Sequence, residues 1–208
     1  MNALIAAFLR RPESATCRLA DAVRLLAAAS VIAAGLGWGW IQVAVFMLAL
    51  LATLIPRALA LPGALDTATG AVALVAAWSN VADLYESVPG WDKLVHGALG
   101  GLVALLSVIL VQRAGALPDG HDRRECQALV GLTVVFGLAT GAAWEMLEWF
   151  GHTVIDPAVH VGYDDTVADM AAGALGSLAA GTLWFRVGRG RGRLRQHSGH
   201  AQQGRQER

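Results

Sequence analysis

Four short stretches of this chain carry the residue types that could do chemistry. WDKLVH sets Asp92 and His96 at i and i+4, with Lys93 between them. WEMLEWFGH sets Glu145, Glu148 and His152 at i, i+3 and i+7, and YDDTVADM sets Asp165 and Asp169 at i and i+4. SNVADLYE adds Asn80 and Asp83 at i and i+3. On a helix each of these spacings falls on one face. Imidazole with several carboxylates is a donor set for a divalent cation, and Zn, Mn or Mg would fit according to how many oxygens coordinate. Such an ion would polarise a phosphoryl group or activate water. The expected metal ligands are His96, Glu145, Glu148, Asp165 and Asp169, supported by Asp92, Asp83 and Asn80. Glu148 or His96 would act as general base, and Lys93 would contact an anionic head group.

The elements that must position these residues are apolar. The chain has 208 residues, 55% hydrophobic and 15% charged, with a mean hydropathy of +0.50. Soluble domains carry about 25% charged residues. The apolar residues form long blocks, which marks an all-α, polytopic membrane helical bundle. Six stretches approach the roughly 20 residues that a spanning helix needs: 22–38, 41–60, 65–85, 93–112, 128–150 and 166–187. Gly35, Gly37 and Gly39 weaken the end of the first. Arg10, Arg11 and Arg18 before an apolar run resemble a signal peptide, but no convincing cleavage site follows, so the run is taken as a span. Residues 1–21 then form a cytoplasmic N-terminal segment. Residues 188–208, rich in Gly, Arg and Gln, form a basic cytoplasmic tail expected to be disordered.

Basic residues orient the bundle. With six spans and both termini inside, every arginine falls on the cytoplasmic side and only Lys93 lies outside. That bias is what the positive-inside rule predicts for an even number of spans. Trp38, Trp40, Tyr85, Trp91, Trp149 and Tyr163 then lie near the outer interface and Trp184 near the inner one, as interfacial aromatics should. The polar pairs of the third to sixth spans all fall at the outer end. A charged side chain at mid-membrane costs at least about 2.5–3.5 kcal/mol, so these groups should face one another and not lipid. So many carboxylates with one Lys and one or two His cannot all be ionised unless water or a cation neutralises them.

Small residues sit below the polar pairs: Gly97 and Gly101, Gly137 and Gly141, and Gly173, Ser177 and Gly181. Their four-residue spacing lets membrane helices approach closely, so spans four to six are expected to form the core. No phosphate-binding glycine loop, nucleophile elbow or H-E-x-x-H helix is present. Cys17 and Cys126 form no metal pattern and read as ordinary reduced thiols. His121, His197 and His200 read as solvated, and Asp156 and Asp164 as loop residues. No nucleic-acid partner is expected, since only the arginine-rich tail would favour one.

WDKLVHGALGG, WEMLEWFGH and YDDTVADMAAGALGSLAAG together resemble the YjdF-type family of uncharacterised bacterial inner-membrane proteins, and more distantly the VanZ-like family. The resemblance covers roughly residues 65–187. Asp92, Lys93, His96, Glu145, Glu148, Asp165 and Asp169 match its pattern, whereas His152 and His160 lie outside it. The YjdF-type family brings no reaction with it. The VanZ-like one implies cell-envelope or lipid-linked chemistry by analogy alone.

Three functions stay open on these residues. The first is a metal-dependent site acting on a lipid-linked or other anionic amphiphile at the outer leaflet. The second is a proton- or cation-coupled transporter or lipid flippase using the same groups as a relay. It is disfavoured by the absence of an acid deep in any span and of an inverted repeat. The third is a non-catalytic envelope-assembly protein in which the cluster is a structural lock. Membrane lipids are the expected partners in every case.

Overall fold

The computed structural model describes residues 8, 11–157, 159 and 161–206, with side chains through Arg186. Every regular element among them is helical. Helix α1 spans Ala15–Gly37, α2 Trp40–Ala58, α3 Gly63–Val81, the short α4 Leu84–Ser87, α5 Trp91–Arg113, α6 Arg123–Phe150 and α7 Tyr163–Gln206. A turn of π-helix, Gly151–Ile155, extends α6. Each expected span overlaps a helix. Among the described residues, four segments are long and apolar enough to cross a membrane: α1, α2, α5, and α6 with its extension. Asp66 interrupts α3, and Gly, Ala, Ser and Thr dilute α7. The Arg- and Gly-rich segment expected to be disordered carries helical backbone to Gln206.

Local chemistry sets the boundaries. Ser14 caps α1 by accepting from Cys17 N at 3.2 Å, so the helix begins well before the expected residue 22. Asp122 caps α6 by accepting from Glu125 N at 2.7 Å, while the Glu125 carboxylate accepts from His121 N at 2.8 Å. Such caps satisfy backbone N–H groups that have no partner inside the helix. The third expected span, 65–85, stops early. Asp83 takes a left-handed conformation (φ 56°) after α3 ends at Val81, and Ala82 and Asp83 turn the chain into α4. Short polar side chains tolerate that region better than most. Asn80 and Asp83 are both exposed, so the i, i+3 pair expected of one helix face is divided between a helix end and a turn.

The chain divides into two compact units, Met1–Leu99 and Gly100–Arg208, with the division falling inside α5. In the first, α1, α2 and α3 pack along an alanine-rich seam of Ala27, Ala34, Ala49, Ala73 and Ala77 around Phe46 and Leu74. Trp78 meets Phe46 edge-on at 5.1 Å and Trp38 at 5.8 Å, and its indole N–H donates to Ser30 Oγ at 3.1 Å. At the other end of these helices is a buried charge network. Arg24 Nη2 donates to both oxygens of Asp66, at 2.7 and 3.0 Å, and Nη1 to Asp21 at 2.5 Å. Its Nε donates to the Thr53 carbonyl at 3.1 Å, and Arg57 lies 3.7 Å from Asp21.

In the second unit the C-terminal part of α5 and helix α6 both pack on α7 through small residues. A Cβ at Gly101 would sit 2.6 Å from the Gly176 carbonyl, and one at Gly100 3.4 Å from Gly173 Cα. A Cβ at Gly137 would collide with the Ser177 hydroxyl, and one at Gly181 would lie 3.0 Å from Thr133 Oγ1. Gly141, expected to continue that contact, faces open space. Thr133 and Ser177 return their hydroxyls to carbonyls on their own helices, of Leu129 and Gly173, at 2.8 and 2.7 Å. This satisfies a polar group where no water is at hand. Leu175, Leu178 and Leu183 of α7 are exposed, as side chains turned towards lipid would be.

Candidate functional site

In the second unit, close packing brings the acidic ends of α6 and α7 together. Gly137 against Ser177 sets the helix spacing, and two turns further along α6 Glu145 reaches α7. Thr166 Oγ1 donates to Glu145 Oε2 at 2.7 Å. The other oxygen, Oε1, is sealed from solvent and has no hydrogen-bond partner among the described residues. Leaving a buried acceptor unsatisfied costs about 1–3 kcal/mol, and more if it is charged. A cation on that oxygen removes the cost. Glu148, one turn beyond Glu145, is half-buried, as is Asp165, the residue before Thr166. Asp169 is buried, at 3% exposure, one turn deeper on α7. Asp164, expected to lie in the loop, opens α7 as an exposed first-turn residue. This supply of carboxylate and hydroxyl oxygens suits a hard divalent cation.

A π-helix closes this end of α6. His152 Nδ1 lies 2.6 Å from the Val159 carbonyl. A carbonyl only accepts, so Nδ1 carries the hydrogen, and the ring ties the chain after the π-turn back onto itself. His152 thus has a structural partner in the connecting segment. His160 lies outside the described residues. Single π-turns at helix ends recur at functional sites.

In the first unit, Asp92 stands between His96 and Lys93. Its Oδ1 lies 3.3 Å from His96 Nε2 and its Oδ2 3.5 Å from Lys93 Nζ. One bond from the start of α5 and one from α4 tie this region to α3. Trp91 Nε1 donates to Ser79 Oγ at 2.8 Å, and the Tyr85 hydroxyl donates to the Ala76 carbonyl at 2.8 Å. Asp92 is therefore a direct partner of His96, while Asn80 and Asp83 are exposed.

Two sets of residues went unnoticed in the sequence. Thr166 sits inside YDDTVADM, three residues before Asp169 and thus on its helix face, so the spacing already marked it. Asp66 and Arg24 each stand alone in an apolar stretch. Two lone opposite charges on neighbouring spans are the signal that would have paired them.

No curated protein and no solved structure matches the chain. A family model described as "Predicted membrane protein (DUF2238)" matches residues 16–190. The YjdF-type resemblance agrees with that match, which lends no support to the VanZ-like one. With four helices apolar enough to cross a membrane and a family match over most of its length, the chain belongs to this DUF2238 family of predicted membrane proteins.

Proposed function

We propose that this protein is a six-span protein of the bacterial inner membrane, with both termini cytoplasmic, that holds a divalent cation at the outer end of α6 and α7. The observation that carries the reading is the sealed Oε1 of Glu145, beside an Oε2 already occupied by Thr166. A cation would meet that second oxygen's need. Glu148, Asp165 and Asp169 are the further ligands on the same two helices. His96 as an added ligand or base, and Lys93 as a contact for an anionic head group, are proposals that rest on the sequence pattern. Confinement of arginine to one side of the spans supports the orientation. The substrate class is an anionic amphiphile with its head group at the outer leaflet, such as a lipid phosphate or other lipid-linked envelope intermediate. The cation would act there as Lewis acid. The distant VanZ-like resemblance supports that class by analogy alone.

A second reading has its own support. The Thr166–Glu145 bond and the tight Gly137–Ser177 approach are what a purely structural lock between α6 and α7 would use. Elemental mass spectrometry on detergent-purified protein decides between them. The cation reading expects near-stoichiometric Zn, Mn or Mg in the wild-type protein, lost in Glu145→Gln and Glu148→Gln variants that keep their fold. No metal in any of the three, with folding unchanged, would sink it and leave the lock or a proton relay.

A further inference from the structure

The buried charge network of the first unit has no part in the proposed cation site. It joins three helices: Arg24 in the third turn of α1, Arg57 in the last turn of α2 and Asp66 in the first turn of α3. The Asp66 side chain is 6% exposed and that of Arg24 14%. The Arg24 guanidinium donates through all three of its nitrogens, with Nη2 on Asp66, Nη1 on Asp21 and Nε on the Thr53 carbonyl. Its donors are directed at the protein's own groups, so the network is not a ligand site. A second observation places the same seat under close packing. Gly70 lies one turn after Asp66, and a Cβ there would come within 2.8 Å of Val23 and 3.1 Å of Thr53. Helix α3 is thus fitted tightly against α1 and α2 right beside the ion pair.

Helix α3 is not among the helices apolar enough to cross a membrane by composition. Asp66 is one cause, since an aspartate is among the residues that most disfavour insertion. The residue that neutralises it lies on α1, which is made earlier in the chain. We propose that the Arg24–Asp66 pair is an insertion latch: α1, already in the membrane, presents Arg24 to Asp66 and so carries the too-polar α3 across. Asp21 and Arg57 complete the neutral set, and Gly70 lets α3 come close enough for the pair to form. The inference rests on the reading of α3 as one of six spans.

Outside labelling of a single introduced cysteine tests it in the full-length chain. Ser87→Cys, just beyond α3, is treated in intact cells with a membrane-impermeant maleimide, scaled to labelling after permeabilisation. The parent with its natural Cys17 and Cys126 gives the background. If α3 spans, Ser87→Cys is labelled from outside. Adding Arg24→Ala lowers that labelling by roughly fivefold, because Asp66 is left without its partner. Adding Asp66→Ala to that variant restores it, because the uncompensated charge is gone. Undiminished labelling with Arg24→Ala overturns the latch while leaving six spans intact, and so does failure of the double substitution to recover. No outside labelling of Ser87→Cys alone overturns the six-span reading, and the latch with it.

Discussion

Thr166 on α7 donates its hydroxyl to Glu145 on α6 at 2.7 Å, and the bond fixes only one of the two carboxylate oxygens. The helices are thus tied together at the point where the proposed cation would bind. Thr166→Val removes the donor and leaves a second buried oxygen in need. We expect it to lower stability by about 1–3 kcal/mol, measured as a fall in the thermal unfolding midpoint in detergent. Glu145→Gln should cost less, since an amide oxygen can still accept from Thr166.

Added divalent cation separates a binding site from a lock. A ligand that binds only the folded state stabilises it by an amount that grows with concentration over Kd, about 2.7 kcal/mol at a hundredfold excess. The unfolding midpoint of the wild-type protein should therefore rise with Zn, Mn or Mg after chelation, and that of Glu145→Gln should not. Equal shifts in both proteins would mean the ion acts elsewhere.

The small-residue contacts give a position-specific prediction. A methyl group at Gly101 would meet the backbone of Gly176 at 2.6 Å, and backbone cannot rotate away. Gly137→Ala would strike the Ser177 hydroxyl, and Gly141→Ala would enter open space. Overpacking typically costs about 1–3 kcal/mol. Gly101→Ala and Gly137→Ala should destabilise by that order, while Gly141→Ala should be neutral in the same unfolding assay. Ala favours a helix over Gly, so destabilisation by all three alike would show that the cost does not come from the contacts at Gly101 and Gly137.

Much of this architecture is legible in the sequence because membrane physics writes it in long signals. Twenty-residue apolar blocks survive errors of a few residues at each boundary, and each of them overlaps a helix. The pairing of Glu145 with α7 is half legible. The i, i+4 spacing of Asp165 and Asp169 marks a face, but which of its residues meets Glu145 depends on the rotation of α7, set by Ser177 and Gly173 against Gly137. The turn at Asp83 is not legible, since its left-handed backbone follows from how α4 folds back through Tyr85 and not from any local turn signature. The role of Gly141 is not legible either. Its four-residue spacing from Gly137 matches the motif, yet a Cβ there faces open space.

The two thiols should differ in reactivity. Cys126 is buried, at 3% exposure, and its thiol donates to the Gly120 carbonyl at 3.1 Å. Cys17 is half-buried in the first turn of α1. Reaction requires access to the thiolate, so a maleimide that enters permeabilised cells should modify Cys17 well before Cys126. Mass spectrometry of the peptides before and after unfolding reads the order. Faster labelling of Cys126 would mean that the loop leading into α6 opens in the folded protein.

The start of α5 depends on a bond between two helices, Trp91 Nε1 to Ser79 Oγ at 2.8 Å. Ser79 is 1% exposed, and its own hydrogen goes to the Val75 carbonyl at 2.7 Å, so its oxygen is directed towards the indole. Trp91 immediately precedes Asp92, and one turn later comes His96; the bond thereby sets the rotation with which both leave α3. Trp91→Phe keeps most of the apolar ring and removes only the donor, while Ser79→Ala removes only the acceptor. A double-substitution cycle on unfolding free energy should give a coupling of about 0.5–1.5 kcal/mol. The same variants bear on the site. If the bond orients Asp92, Trp91→Phe should loosen the Asp92–His96 contact and broaden or shift the His96 ring resonances in an NMR spectrum of the solubilised protein. Zero coupling with unchanged His96 resonances would show that helix packing alone holds this end of α5, and that Val95, buried beside His96, is the residue to change next.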